Sequence, residues 1–326
     1  MSALRIAVVG AGHMGRLHAE KVSALGNGGA EVTLAGVADA DAARARALAE
    51  ELGVPATGRF GELLAESDAV IVAVPTVDHH PVVREVLAAG CDVLVEKPIA
   101  ADLGEADDLL KLAHEGGRIL QVGHLEWYNP AMQVIRERIQ RPRFVEAHRL
   151  GPFPDRATDI DVVRDLMIHD LDIIQQILGE EPVRVEAIGV SVLSESVDIA
   201  NARVTYPGGC VANLTASRVT PTPMRKLRFF QTDGYFSIDF LEQSALVLRR
   251  RTGDGESGAD AREIEVETLD VDPTDAMEAQ LRSFLQSVRT RKPSPANGPG
   301  SPGGACGALR TALRVIDAMP AADQLA

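Results

Sequence analysis

Over residues 1–124, short continuous apolar runs alternate with longer stretches in which apolar residues recur every three or four positions. The runs LRIAVVG, LAGVAD, DAVIVAVP, DVLVEK and RILQVG read as strands, because an unbroken apolar run of that length suits a strand covered on both faces. The alanine- and leucine-rich stretches between them read as helices, and the alternation predicts βαβ units around a parallel sheet. After Asn129-Pro130 the rhythm changes to one more helix and then to alternating runs: RFVEAHRL, VRVEAIGVSVL, ANARVTY, CVANLTASRV, KLRFFQT, YFSIDF and ALVLRR. These predict a mostly antiparallel sheet, with Pro207-Gly208-Gly209 and Asp233-Gly234 as hairpin turns. The expected fold class is therefore α/β, a doubly wound parallel sheet over residues 1–124 followed by an α+β domain over residues 125–326.

Three segments stand apart from this pattern. DVVRDLMIHDLDIIQQILG, residues 161–179, carries Val162, Leu166, Ile173, Ile174, Ile177 and Leu178 at helical spacing and predicts one long amphipathic helix ending at Gly179. RTGDGESGADARE, polar and glycine-rich, is expected to be a mobile hairpin tip. RKPSPANGPGSPGG, from Arg291 to Gly304, is expected to form a loop of little fixed structure between two terminal helices, the last of which runs from about Ala305 to Met319 and packs back.

Length and composition narrow the class. A chain of 326 residues with 45% hydrophobic content has material for two cores. Its formal net charge of -14 argues against nucleic acid or an anionic membrane surface as a partner. Any phosphate it binds must be met by local geometry. The three cysteines, Cys91, Cys210 and Cys306, are widely spaced and odd in number, which fits a reducing compartment better than a disulfide framework. The first apolar stretch is broken too soon by glycine to be a signal peptide or membrane span, so the expectation is a cytoplasmic protein.

VVGAGHMGRLHA supplies the strongest chemical signal. Gly10, Gly12 and Gly15 fall between a strand and a helix, and a second strand ends in Asp39. That context turns a weak motif into a Rossmann dinucleotide-binding fingerprint. Gly10 allows the tight turn, Gly12 lets the backbone approach a pyrophosphate, and Gly15 seats the helix against the sheet. Asp39 is expected to accept hydrogen bonds from the ribose hydroxyls and to repel a 2'-phosphate, which favours NAD over NADP; no arginine or lysine follows it closely. The competing reading is a plain βα turn with Asp39 capping the next helix. His13 and Met14, inside the motif, are expected beside the cofactor, with no catalytic part for His13.

CDVLVEKPIA ends a buried strand on Glu96-Lys97-Pro98. Lys97 thus emerges at the carboxyl end of the sheet, the edge where open α/β folds bind ligands, and Pro98 restricts the lysine backbone. On the helix from residue 161, Asp165 and His169 are four apart and share a face. An acid beside an imidazole can orient it and raise its basicity, as a general base near neutral pH requires. Each feature has a plainer reading: a solvated strand-end lysine, a self-satisfied acid–His pair, or a metal site using His169 with Asp165, Asp170 or Asp172. Against metal, Asp170 and Asp172 project at other angles and no further His/Cys cluster accompanies them.

VVGAGHMG, VPTVDHH, AAGCDVLVEKPIA, QVGHLEWYNP and DLMIHDLD together resemble the successive signatures of the glucose-fructose oxidoreductase, inositol dehydrogenase and rhizopine-catabolism (Gfo/Idh/MocA) family, from residue 4 to about residue 320. The resemblance implies an NAD-dependent dehydrogenase acting on a secondary hydroxyl of a sugar or polyol. Lys97, Asp165 and His169 are then catalytic, and Glu96, Pro75, Thr76 and His79 lie close to the cofactor. It also implies an open-faced sheet in the second domain through which copies assemble as homodimers or homotetramers. GPFPDRATDIDVVRDLMIHDLD is most similar to sugar-nucleotide 3-dehydrogenases, implying a UDP-N-acetylamino sugar oxidised at its 3-hydroxyl; a free sugar or inositol is the alternative, as is a non-catalytic NAD(P)-binding sensor on the same fold.

One departure bears on the substrate. Those relatives read G-H-x-E-R-F-N-P where this chain reads GHLEWYNP, so Trp127 replaces an arginine. Trp127 either stacks on a sugar or base or packs in a core. Glu126, Tyr128 and Asn129 on the same segment are candidate substrate contacts. Arg149, Arg156 and Arg164 are candidates for a substrate pyrophosphate, against the commoner fate of an ordinary surface or ion-pair arginine.

Overall fold

The computed structural model describes residues 3–29, 32–153, 160–250, 264–294 and 305–320. Arg156, the glycine-rich stretch 251–263 and residues 295–304 lie outside the described residues. The chain forms two compact units, one made of Met1–Leu125 with Ala276–Leu309 and the other of Glu126–Asp275 with Arg310–Ala326. The segment Ala276–Leu309 belongs to the first unit although it follows the second in the chain.

In the first unit the order is β1 (Leu4–Val9), α1 (His13–Asn27), β2 (Val32–Ala38), α2 (Ala42–Leu52), β3 (Ala56–Thr57), α3 (Gly61–Leu64), β4 (Ala69–Val72), α4 (Thr76–Ala88), β5 (Asp92–Val95), α5 (Leu103–Glu115) and β6 (Leu120–Val122). The strands pair in parallel in the order β3-β2-β1-β4-β5-β6. All four residues of β4 and all four of β5 are buried, as the unbroken apolar runs require. Strand order reverses between β1 and β4, and in open sheets the crevice at that point, beyond the carboxyl ends of the strands, is the ligand site. The short β3 has no counterpart among the expected strands.

The second unit opens with α6 (Pro130–Ile135) and β7 (Phe144–Leu150), then a helical segment, α7 (Ile168–Leu178), and strands β8 (Arg184–Val190), β9 (Ile199–Thr205), β10 (Val211–Ser217), β11 (Met224–Phe230), β12 (Tyr235–Asp239), β13 (Ser244–Arg250) and β14 (Ile264–Thr268). Their order is β14-β13-β12-β11-β7-β10-β9-β8, and every pairing is antiparallel except β7 with β10. Burial alternates along the central strands, for instance Val145, Ala147 and Arg149 inward on β7 and Phe144, Glu146 and His148 half-exposed. The sheet thus covers a core with one face and leaves the other open. Gly209 takes a positive φ of 82° in the β9–β10 turn, and the Gln231 N–H bonds the Gly234 carbonyl at 2.8 Å in the β11–β12 turn, both at the hairpin signals.

α8 (Ala276–Thr290) and α9 (Gly307–Asp317) end the chain. Leu281, Phe284, Leu285 and Val288 of α8 join Ile6, Val8, Val22 and Leu25 in one buried cluster of the first unit. Arg291, just past α8, donates at 2.7 Å to Asp92, which is fully buried at the start of β5. Among the described residues no helix is long and apolar enough to cross a membrane.

Candidate active site

The glycine-rich turn fits a dinucleotide pyrophosphate on three geometric grounds. Gly10 has φ +97°, and a Cβ there would meet the Ala73 carbonyl oxygen at 2.3 Å. A Cβ on Gly15 would meet the Gly10 carbonyl oxygen at 1.7 Å, so only glycine lets α1 sit this close to β1. A Cβ on Gly12 would meet nothing within 4 Å, so the backbone faces open space where a phosphate can approach. Gly12 caps α1 without a side-chain bond, and no acidic residue occupies the first turn, leaving the positive helix end for an anion. His13 is exposed there and Met14 half-buried.

Asp39 Oδ2 accepts the Ala11 N–H at 2.7 Å and Oδ1 accepts the Asp41 N–H at 2.8 Å. Asp41, not Asp39, caps α2, accepting from Ala43 and Arg44 N–H groups at 3.0 and 3.2 Å. Asp39 therefore braces the glycine loop at the end of β2, where a ribose would lie. One expectation needs correction: α2 brings Arg44 to 3.6 Å from Asp39 Oδ2, because five residues of turn and helix fold back on the strand end.

β5 delivers Glu96 and the half-buried Lys97, whose bond to Pro98 is cis. Glu96 Oε1 is 2.8 Å from Nε2 of His18, a residue of α1 that is 1% exposed. Burial alone would raise the Glu96 carboxyl; the hydrogen bond and charge of His18, with Lys97, outweigh it and hold the group below its ordinary value. His124, just past β6, is buried, and burial together with the Lys97 charge lowers its pKa to about 4. His79 lies inward on α4, with Nδ1 2.7 Å from the Pro98 carbonyl and Nε2 3.0 Å from the Val74 carbonyl. Burial lowers its pKa, against those two bonds. It joins the loop after β4, where Pro75 caps α4 and Thr76 begins it, to the Lys97-Pro98 segment. Nothing in the sequence assigns His18 or His124 a role; the available signals are a histidine three residues past Gly15 and another directly after Gly123 in GHLEWYNP.

In the second unit, the helix expected over 161–179 begins differently. Val163–Met167 form a π-helical turn, followed by α7, which ends at Gly179 with φ 66°. The wider turn holds Asp165, and His169 lies in the first turn of α7, both half-buried. π-turns recur at functional sites. Val162, Ile173 and Ile174 of the expected stripe are fully buried, as are Val163, Met167, Ile168 and Leu171, while Leu166, Ile177 and Leu178 are half-buried, so the buried face only partly follows the expected stripe. Asp161 starts the turn, its Oδ1 accepting the Val163 and Arg164 N–H groups at 3.0 and 2.9 Å and its Oδ2 the Arg164 side chain at 2.6 Å.

Arg149 is 2% exposed and bonds both oxygens of Asp170, at 3.0 and 2.8 Å, and Glu126 at 2.6 Å. Burial alone would lower its pKa, but those two carboxylates hold it above its ordinary value. The ion-pair alternative is thus the one realised for Arg149, and Glu126 also lies 3.5 Å from Arg225. Asp172 accepts from Gln176 at 2.8 Å. Asn129 caps α6 through the Ala131 N–H at 3.1 Å and donates to the Phe240 carbonyl at 3.2 Å. Trp127 is half-buried with the Arg136 guanidinium 5.6 Å from its ring centre, and Tyr128 is 8% exposed. Among the described residues no group of three or more His, Cys, Asp or Glu side chains is set to hold a metal ion.

A glycine cradle at a topological switch point, with Asp39 just past β2 and Lys97 just past β5, fits a nicotinamide-dinucleotide-dependent oxidoreductase. Residues 4–124 match the Gfo/Idh/MocA oxidoreductase family with its NAD-binding Rossmann fold, and residues 132–237 match the Gfo/Idh/MocA C-terminal domain. The chain belongs to the Gfo/Idh/MocA family. It is 40% identical over 291 residues to UDP-N-acetylglucosamine 3-dehydrogenase of Acidithiobacillus ferrooxidans, covering 89% of this chain and 90% of that one. A crystal structure of the Acidithiobacillus enzyme superposes with a TM-score of 0.88 at 39% identity, covering 98% of each chain. Inositol 2-dehydrogenase of Rhizobium meliloti is 31% identical over 204 residues, 60% of this chain and 61% of that one. GenD2 of gentamicin A biosynthesis, solved in complex with NAD, shares the fold with a TM-score of 0.78 at 24% identity, covering 98% of this chain and 94% of that one.

Proposed function

We propose that this protein oxidises the 3-hydroxyl of UDP-N-acetylglucosamine, or a closely similar UDP-N-acetylamino sugar, to the 3-ketone. The observation that carries the reading is the 40% identity to UDP-N-acetylglucosamine 3-dehydrogenase across 89% of the chain, in a sequence that has Lys97, Asp165 and His169 together. A sensor on the same fold would have no use for a proton acceptor.

The chemistry follows from the residue types. The Lys97 ammonium binds the reacting oxygen and stabilises negative charge as it develops there. His169 takes the hydroxyl proton, and Asp165 orients the imidazole and stabilises its protonated form. When bound, NAD accepts the hydride leaving the same carbon, so the products are ketone, NADH and one proton. Tyr128, Trp127 and Arg164 are assigned to the substrate. We place the reaction in the cytoplasm, consistent with three buried cysteines that are odd in number and widely spaced, and assign assembly into homodimers or homotetramers to the open face of the second sheet.

The test is NADH production by the purified protein with UDP-N-acetylglucosamine, free N-acetylglucosamine and myo-inositol compared side by side. Turnover restricted to the sugar nucleotide is expected; a preference for inositol would transfer the assignment to the inositol dehydrogenases, which the 31% identity to one of them keeps in view. Lys97→Ala is expected to lower kcat by about 10²–10⁴-fold with NAD affinity nearly intact, and near-normal turnover would remove Lys97 from the chemistry.

A further inference from the structure

We infer that Arg218 is a positioning residue for the segment that presents Asp165 and His169; the inference rests on the catalytic assignment just made. Arg218 follows β10 and is 2% exposed. Its Nε donates to Asp198 Oδ1 at 2.8 Å, Nη1 to the Ile160 carbonyl at 2.8 Å, and Nη2 to the Ser194 and Ser196 hydroxyls at 3.0 and 2.5 Å. One guanidinium thereby gathers the β8–β9 loop from Ser194 to Asp198 and the residue before Asp161.

Asp198 makes the other half of the bracket. It is fully buried, and its Oδ2 accepts the N–H groups of Val192, Leu193 and Ser194 at 2.8, 2.6 and 2.9 Å. Burial would raise its carboxyl; the Ser194 hydroxyl, these backbone donors and Arg218 hold it below the ordinary range. The loop wrapped on Asp198 then offers the Val197 carbonyl to the Val162 N–H at 3.0 Å. Ile160 and Val162 are thus each held by this cluster, and Asp161 between them opens the π-turn, its carbonyl accepting the Asp165 N–H at 3.0 Å. Fixing three consecutive residues sets the start of the helix on which Asp165 and His169 lie.

A buried arginine stabilises a fold poorly, because its desolvation offsets most of what its ion pair contributes. What a rigid fork of donors supplies is direction. Small displacements of a proton acceptor from the reacting hydroxyl slow the chemical step far more than they weaken binding. Lysine can keep the charge but not the simultaneous bonds to Asp198, Ile160 and the serines.

The experiment uses the full-length protein with NAD and UDP-N-acetylglucosamine. Arg218→Met and Arg218→Lys are each made in the wild-type and His169→Ala backgrounds, and kcat, KM, NADH affinity and melting temperature are measured. Arg218→Met is expected to lower kcat by about 10–100-fold with NADH affinity unchanged, and Arg218→Lys to recover part of it. In the His169→Ala background, Arg218→Met is expected to cost less than about twofold, since there is no imidazole left to aim. A folded Arg218→Met protein with wild-type kcat, or an equal fold-loss in both backgrounds, overturns the inference. Should Arg218→Met fail to fold, Arg218→Lys and Asp198→Asn carry the test, and full kcat in both overturns it. A wild-type rate for His169→Ala alone would instead overturn the catalytic assignment, and this inference with it.

Discussion

Nε2 of His18 lies 2.8 Å from Oε1 of Glu96, joining the helix behind the glycine cradle to the residue immediately before Lys97. The imidazole is 1% exposed, so it is held for this carboxylate rather than for solvent. His18→Leu removes the buried donor and is expected to cost about 1–3 kcal/mol of stability, read as a lowered urea midpoint; an unchanged midpoint would mean Glu96 needs no such partner. Because the Glu96 pKa is lowered on folding, the pair's contribution is present above the ordinary carboxylate value of 4.5 and is lost as pH falls below it.

His124 gives the molecule a second, opposite-sounding acid sensitivity with the same sign. Its pKa falls from 6.5 to about 4 because burial and Lys97 disfavour the protonated ring. Below 6.5 the unfolded chain takes up a proton that the folded chain refuses, so stability is full above that pH and declines toward pH 4. Integrated over that window the loss is about 3 kcal/mol. His124→Phe is expected to flatten this part of the stability–pH curve in urea titrations; a curve parallel to wild type would contradict the buried neutral ring.

Arg149 stands between Asp170 and Glu126 with its side chain 3% exposed. Replacing it by Met leaves the buried Asp170 carboxylate without its hydrogen-bonded counter-charge, and Glu126 with only Arg225 at 3.5 Å, and is expected to destabilise the protein by about 3–5 kcal/mol. Chemical denaturation measures it. A loss below about 1 kcal/mol would show that solvent reaches the site.

Asp39→Ala removes the negative charge from the ribose end of the cradle and leaves Arg44, otherwise 3.6 Å away, to meet a 2'-phosphate. The NADP:NAD ratio of kcat/KM is expected to rise about tenfold or more, the equivalent of about 1.4 kcal/mol. An unchanged ratio would detach cofactor choice from Asp39.

What could be seen in the sequence and what could not divide along locality. The glycine cradle, the strand ending in Glu96-Lys97 and the hairpins at Gly209 and Gly234 are legible because each depends on a few adjacent residues. Residues 161–179 carry apolar side chains around most of the helix, so periodicity finds Val162, Ile173 and Ile174 on the buried face but misplaces Leu166, Ile177 and Leu178, and nothing local announces the π-turn. His18, His124 and Arg218 act through partners 78, 27 and 20 positions away or more: His18 reaches Glu96, His124 feels Lys97, and Arg218 grips Asp198. Arg44 lies five positions from Asp39 along the chain, but the turn into α2 brings the two together. The edge strand β14 alternates Ile264, Val266 and Thr268 with Glu265 and Glu267, yet all five residues are exposed, so its alternation marks an edge and not a buried face.

The return of α8 to the first unit has a consequence for biosynthesis. The nucleotide-binding half leaves the ribosome first, yet Leu281, Phe284, Leu285 and Val288, which complete its buried cluster, are translated after the whole second sheet. Until then Ile6, Val8, Val22 and Leu25 present a sticky, half-built interior, so the nascent chain is a natural client for chaperones. A fragment stopping at Leu125 inherits that exposure permanently.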